Sequence, residues 1–273
     1  MNKDKARVLV LGAHPDDAEI FAGGLLCRHR AHGSQVKIIS VSDGRCGHHQ
    51  IPPEELVSIR RKEAERAGQC IGAQYLTWDF PDGGLTASLP VREAIIREIR
   101  SFHPDLVLTH RPYDYHPDHR AVGTAVQDAS YLVTVPHTCP EVEALRADPV
   151  VAYMCDLFTR PNRLRADVLL EVSEEFDLTT KMVACHTSQV FEWLPYHDGQ
   201  LDSVPESVDG RRQWLAHWLA HLHAMRVEHF REELLEHEIS PEPSLRIEVY
   251  ELSEYAFPPT SEQLGRLFPG RIT

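Results

Sequence analysis

The stretch Val8–Ile20, VLVLGAHPDDAEI, changes character at Gly12. An apolar run reads as a buried strand, and the turn behind it holds a histidine, a proline and two adjacent aspartates. The segment that follows, Ala18–His32, reads as a helix. Two carboxylates side by side at the mouth of a helix repel one another unless a cation or a raised pKa compensates. One reading makes Asp16 or Asp17 a helix N-cap. The other puts a positive ion between this turn and groups elsewhere in the chain.

Working outward, strand-like and helix-like segments alternate through the first two-thirds of the chain. Val36–Val41 is strand-like, Pro53–Ile71 helical with Gly72 placed to close it, and Gln74–Trp78 a short strand. Val91–Phe102 is helical through Ile95, Ile96 and Ile99, Leu106–Thr109 is a buried strand, and a helix is expected from about Arg120 to Val133. This alternation predicts an α/β fold: a Rossmann-like, mostly parallel sheet with helices on both faces. The last third is less regular. Val150–Leu157 and Val168–Val172 read as strands, Glu174–His186 as a helix, Asp209–His237 as a long helical stretch and Ser244–Tyr255 as an extended return. With no linker or repeat, residues 1–273 read as one domain with a helical C-terminal elaboration at about 190–240.

Composition narrows the function classes. A formal net charge of −13 argues against nucleic acid as the main partner. The six cysteines are scattered without a C-x-x-C pair, which fits a reduced cytoplasmic protein rather than a disulfide framework. No stretch reaches the roughly 20 apolar residues of a membrane span, and the N-terminus lacks the pattern of a signal peptide. The aromatic C-terminal stretch favours self-association into a homo-oligomer.

In a parallel sheet, ligands sit beyond the carboxyl ends of the strands. Two loops there carry chemistry. The first holds His14, Asp16 and Asp17. The second, HRPYDYHPDHRA, holds His110, Asp114, His116, Asp118 and His119. Imidazoles and carboxylates without cysteine suit zinc or another borderline divalent transition metal. His14 and Asp17, three apart, can reach one ion, which leaves Asp16 free as a base. The sequence GAHPDDAEIFAGG lacks the Gly-x-Gly-x-x-Gly spacing of a dinucleotide site, and its acids would oppose a pyrophosphate. In HWLAH, His217 and His221 have the spacing of a helical zinc site but lack the glutamate of metalloproteases, so packing is the better reading. Cys46 has no activating neighbour in sequence and reads as incidental.

His14-Pro15-Asp16-Asp17 with His116-Pro117-Asp118-His119 resembles the PIG-L/LmbE-like zinc-dependent N-deacetylases. Ser42-Asp43-Gly44, RRKEAERAGQCIG (Arg60–Gly72) and KMVACHTSQ (Lys181–Gln189) are similar to further motifs of that family. The resemblance implies a Rossmann-like fold and zinc held by His14, Asp17 and His119. It implies Asp16 as general base, and His116 as general acid or oxyanion stabiliser oriented by Asp114. Arg60, Asp43 and His186 become candidate substrate-binding residues. The implied reaction removes acetyl from a small-molecule N-acetylglucosamine-type conjugate, with amidase action on a thiol conjugate as the alternative. Two positions depart from the usual pattern: Ala18 precedes Glu19, as in the bacillithiol-pathway branch, and Tyr113 replaces the usual Asn.

Overall fold

The computed structural model describes residues 5–272, so Met1–Asp4 and Thr273 lie outside it. β1 (Arg7–Gly12), α1 (Asp17–Ala31), β2 (Gln35–Ser42), α2 (Pro53–Ile71), β3 (Gln74–Phe80), α3 (Leu89–Phe102), β4 (Leu106–Thr109) and α4 (Pro117–Leu132) alternate along the chain. β5 (Val150–Met154), β6 (Val168–Glu171) and α5 (Phe176–Val183) follow. A π-helical turn (Gln189–Trp193) runs into α6 (Leu194–His197), then come α7 (Val208–His229), α8 (Arg231–Glu236), β7 (Ile247–Leu252) and α9 (Ser261–Leu267).

Among the described residues, seven strands form one sheet in the order β3-β2-β1-β4-β5-β7-β6. The pairs from β3 to β5 are parallel, and β7 enters antiparallel between β5 and β6. The strand order reverses at β1 and β4, which pair in register from Val8–Leu106 to Leu11–Thr109. The two loops singled out by their chemistry leave these adjacent strands at the same end, the switch point where doubly wound sheets bind ligands. Both faces of the sheet are covered, as its continuous apolar strands require. One core layer gathers Val8, Val10 and Leu108 with α1, and the other gathers Leu9, Leu11 and Val107 with α3 and α4.

Three elements differ from their sequence-based expectation. α4 begins at Pro117 rather than near Arg120, because proline is preorganised for the first helical position and the His116 ring accepts the Asp118 N–H as cap. Asp118 and His119 are therefore helical and buried. The expected helix over Asp209–His237 divides at Phe230, a fully buried ring that turns the chain between α7 and α8. The expected Glu174–His186 helix is shorter, Phe176–Val183, and the residues after it form turns.

α1 is buried nearly all round, and side chains from the last third of the chain bond its backbone. Glu248 of β7 accepts the N–H groups of Gly24 and Leu25, and Arg226 of α7 donates to the Ile20 carbonyl. The C-terminal elaboration is thus anchored to the helix that starts at the first chemical loop. Among the described residues no helix is long and apolar enough to cross a membrane.

α4 also approaches the strand edge closely. A Cβ on Gly123 would lie 2.4 Å from the His110 carbonyl oxygen, a backbone atom that cannot swing away. An ordinary helical Gly→Ala change is favourable by about 1 kcal/mol. Here we predict the opposite sign: Gly123→Ala lowers stability in urea unfolding by about 1–3 kcal/mol through overpacking. Equal or higher stability would contradict this packing.

A second prediction concerns acid. His29 is buried, with Nε2 2.8 Å from the Leu267 carbonyl, and burial pushes its pKa down to about 4. His223 is likewise pushed down to about 3 by burial, with Nδ1 on the Ile247 carbonyl. A histidine depressed in the folded state protonates more readily when unfolded. Stability therefore falls as pH drops below about 6.5. Unfolding midpoints between pH 7 and 4.5 check this, and a His29→Gln, His223→Gln variant shows a smaller relative loss over that range.

Candidate metal centre and active site

The first loop is built under strain. Asp16 has φ 131°, a left-handed conformation for a residue with a side chain, and it occupies the N-cap position of α1 without making a side-chain cap bond. The capping reading of the Asp pair therefore fails. Asp17 Oδ2 instead folds back to accept the His14 N–H at 2.7 Å. The strained turn is held from outside. Arg60 Nη2 donates to the Pro15 carbonyl at 2.6 Å and to Asp16 Oδ2 at 3.2 Å, and the Asp16 N–H donates to the Tyr75 hydroxyl. Arg60 also donates to the Gly44 carbonyl, and a Cβ on Gly44 would lie 2.7 Å from the guanidinium, so only glycine admits it there.

The second loop meets the first across β1 and β4. His110 Nε2 lies 2.9 Å from Asp17 Oδ2, and its ring stacks on His119 at 3.8 Å. His119 Nε2 lies 3.3 Å from Asp17 Oδ1, and His119 Nδ1 lies 3.0 Å from Asp114 Oδ1. His14 stands edge-on to His116 with ring centroids 4.6 Å apart. Its Nε2 is 3.2 Å from Asp82 Oδ1 and 3.3 Å from Asp118 Oδ2. Asp118 is fixed in turn by the N–H groups of Gly83 and Leu85. Among the described residues, three overlapping groups could hold a cation: His14, His116 and His119; Asp17, His110 and His119; and His14, Asp82 and Asp118.

Four carboxylates, Asp17, Asp82, Asp114 and Asp118, thus surround His14 and His119. Burial opposes charge on His14, but its bonds to Asp118 and Asp82 and the nearby Asp17 carry its pKa up to about 10. Burial also opposes charge on His119, yet Asp17 and Asp114 raise it to about 9. Burial would push Asp17 up, but the charges of His119 and His110 hold it well below the usual carboxylate range. The cluster demands positive charge. Although close to Asp17 and Asp114, neither ring nitrogen of buried His119 makes a well-directed hydrogen bond. Orphaned imidazole nitrogens among paired carboxylates fit a divalent cation, and the all-nitrogen-and-oxygen donor set fits zinc or a similar ion.

The remaining groups differ in their state. Burial raises Asp16 to about 6, against the lowering effect of Arg60. His116 is held below the ordinary imidazole value by burial and by its histidine neighbours. Its Nδ1 accepts the Asp118 N–H, which leaves its proton on Nε2.

A cavity of about 480 Å³ opens above these groups, lined by His14, Asp16, Asp17, Arg60, Asp82 and His116 on the polar side. His110 and His119 are buried to 1% exposure. Several sequence expectations change here. Asp114 was expected to orient the His116 ring, but its carboxylate faces His119 and reaches only the backbone N–H of His116. Asp43 is fully buried and bonded to Arg45, away from the cavity wall, because its Asp-Gly turn folds the carboxylate back onto its own loop. His186 is also fully buried, paired with Glu19 at 3.2 Å rather than turned to the cavity. Asp82 was missed: it stands in PDGG after β3, a third strand-end loop whose single acid gave no spacing signal.

Residues 9–130 match the PIG-L family, described as GlcNAc-PI de-N-acetylase. The chain is 27% identical over 206 residues to the diacetylchitobiose deacetylase of Thermococcus kodakarensis, covering 71% of this chain and 75% of that protein. It is 24% identical over 208 residues to the 4-oxalmesaconate hydratase of Pseudomonas putida, covering 72% and 79%. The structure of the N,N'-diacetylchitobiose deacetylase of Pyrococcus horikoshii is similar in fold, with a TM-score of 0.68 at 22% identity over 93% of this chain and 85% of that one.

Because Arg60 ties Asp16 and Pro15 to α2, the Arg60→Ala variant leaves a buried, strained carboxylate without that cation. We predict a loss of about 3–5 kcal/mol in urea unfolding. A loss under about 1 kcal/mol would show that the turn holds without it.

Proposed function

Because the chain belongs to the PIG-L/LmbE-like family, we propose that it is a metal-dependent N-deacetylase. It hydrolyses the acetamide of a small N-acetylglucosamine-type conjugate, and residues 1–273 act as one catalytic unit. The observation that carries this reading is that Asp17 lies between His14 and His119, 3.7 Å from His14 Nδ1 and 3.3 Å from His119 Nε2, and that the orphaned ring nitrogens of buried His119 call for a cation. Each of the three residues also belongs to one of the overlapping groups above, though no single group holds all three.

His14, Asp17 and His119 would hold the metal, with the Asp114 carboxylate 3.0 Å behind His119 Nδ1 to favour that ring's metal-binding orientation. Bound there, zinc would supply a Lewis acid that polarises the amide carbonyl and acidifies water towards a pKa of about 7. The rest is the work of this chain's side chains. Asp16, with its pKa near 6, takes a proton from the attacking water at neutral pH. Arg60 occupies Asp16 Oδ2 and so keeps the carboxylate aimed. His116 presents Nε2–H to the developing oxyanion as a neutral imidazole, because its Nδ1 is committed to the α4 cap. The proton on Asp16 then returns to the departing amine.

A second reading follows from the similarity to the 4-oxalmesaconate hydratase. The same residues would then add water to an unsaturated acid rather than to an amide. Arg60 is already tied to Asp16, Pro15 and Gly44, which leaves it poorly placed to bind an acid and favours the amide.

Chelation is expected to abolish acetate release from N-acetylglucosamine conjugates, and zinc to restore it. Asp16→Asn is expected to keep its metal by elemental analysis while losing 10²–10⁴-fold in kcat, the usual worth of a general base (about 3–5 kcal/mol). Full activity without metal, or in Asp16→Asn, contradicts the assignment. Water addition to an unsaturated acid without acetate release supports the hydratase instead.

A further inference from the structure

The proposed reaction uses one side of the cavity, and the opposite side is of a different nature. α7 contributes Trp218, Leu222 and Met225, the loop after β5 contributes Leu157 and Phe158, and the π-helical turn contributes Trp193. These segments lie beyond residue 130, outside the part of the chain that matches the family. They reach the catalytic groups through Ile20 and Phe21 in the first turns of α1. The Phe21 ring sits 6.0 Å from His119 and 5.7 Å from His110, and the Arg226 guanidinium lies 5.8 Å from the same ring. The apolar wall therefore begins one side chain away from the proposed metal ligands.

Its position is fixed, not incidental. Arg226, one residue after Met225, donates to the Ile20 carbonyl and locks α7 against α1. The cavity, at about 480 Å³, is far larger than an acetamido group needs. The same side also carries Asp156, Gln189 and Arg226, but a free sugar would still place hydroxyls against phenylalanine, leucine and methionine, leaving part of their hydrogen bonds with water unreplaced. An apolar group in the same place releases water from apolar surface on both partners.

We propose that the substrate carries an apolar substituent flanking the scissile amide, seated on the wall formed by Trp218, Leu222, Met225, Phe158 and Trp193. This rests on the amide-hydrolase reading and specifies its substrate, in one of two cases by replacing the acetamide with a longer amide. Two attachment points share this chemistry: an acyl chain longer than acetyl, or an alkyl or aryl aglycone on the amino sugar.

The test uses the full-length zinc-loaded protein and three substrates: N-acetylglucosamine, octyl N-acetylglucosaminide and N-octanoylglucosamine, with kcat/KM read from amine release. Each methylene buried is worth about 0.8 kcal/mol, or about fourfold. At least one octyl substrate is thus expected to exceed N-acetylglucosamine by tenfold or more, and the one that does identifies the attachment point. Phe158→Ser and Met225→Gln, at positions already 46% and 38% exposed, are expected to shrink that ratio at least threefold. Comparable kcat/KM for all three substrates, or a preference for the free sugar, overturns the proposal while leaving the hydrolase reading intact. No amine release from any of them, with metal bound, overturns the hydrolase reading itself.

Discussion

The structure turns on an excess of buried negative charge at the junction of two strands. Asp17, Asp82, Asp114 and Asp118 converge around His14 and His119 where β1 and β4 end. Within the cluster, protons on these two histidines offset only half of that charge, and burial alone would remove those protons. Such an arrangement is costly to fold unless something positive occupies it. A divalent cation satisfies the carboxylates and the unpaired imidazole nitrogens together, which no single protein charge here does.

Much of the surrounding architecture holds this arrangement in place. Asp118 is pinned by the loop after β3, and α4 is packed so tightly on the His110 carbonyl that only glycine fits at position 123. Residues of the family-like motifs on α2 and after α5 serve the same end. Glu63 accepts two hydrogen bonds from Ser188, Gln189 donates to the Gly47 carbonyl, and Arg60 holds both Gly44 and Pro15. These motif residues act by positioning two loops against each other. The C-terminal elaboration then closes the far side of the cavity, tied to α1 by Glu248 and Arg226.

The parallel half of the sheet is legible because its strands are continuous apolar runs and its helices carry clear stop signals. His14, Asp16, Asp17, His116 and His119 are legible because each group follows a buried strand, which brings both loops to one sheet edge. Distances across the fold are not written in local spacing. Thus Asp114 turns to His119 instead of the nearer His116 ring, and Asp82 joins from a loop with no motif of its own. Asp43 and His186 mislead for the converse reason: motif membership marks a residue that matters without saying whether it faces substrate or a neighbouring side chain. The break at Phe230 and the reversal of β7 follow from tertiary packing that periodicity does not encode.

The central claim is that one cation joins the loop after β1 to the loop after β4. Calorimetric titration of metal-free protein with zinc tests it most directly. The account predicts one tight equivalent in the unaltered protein. It predicts at least a hundredfold weaker binding in both His14→Ala and His119→Ala, since each removes one loop's imidazole. Unchanged tight binding in either variant would contradict a shared ion.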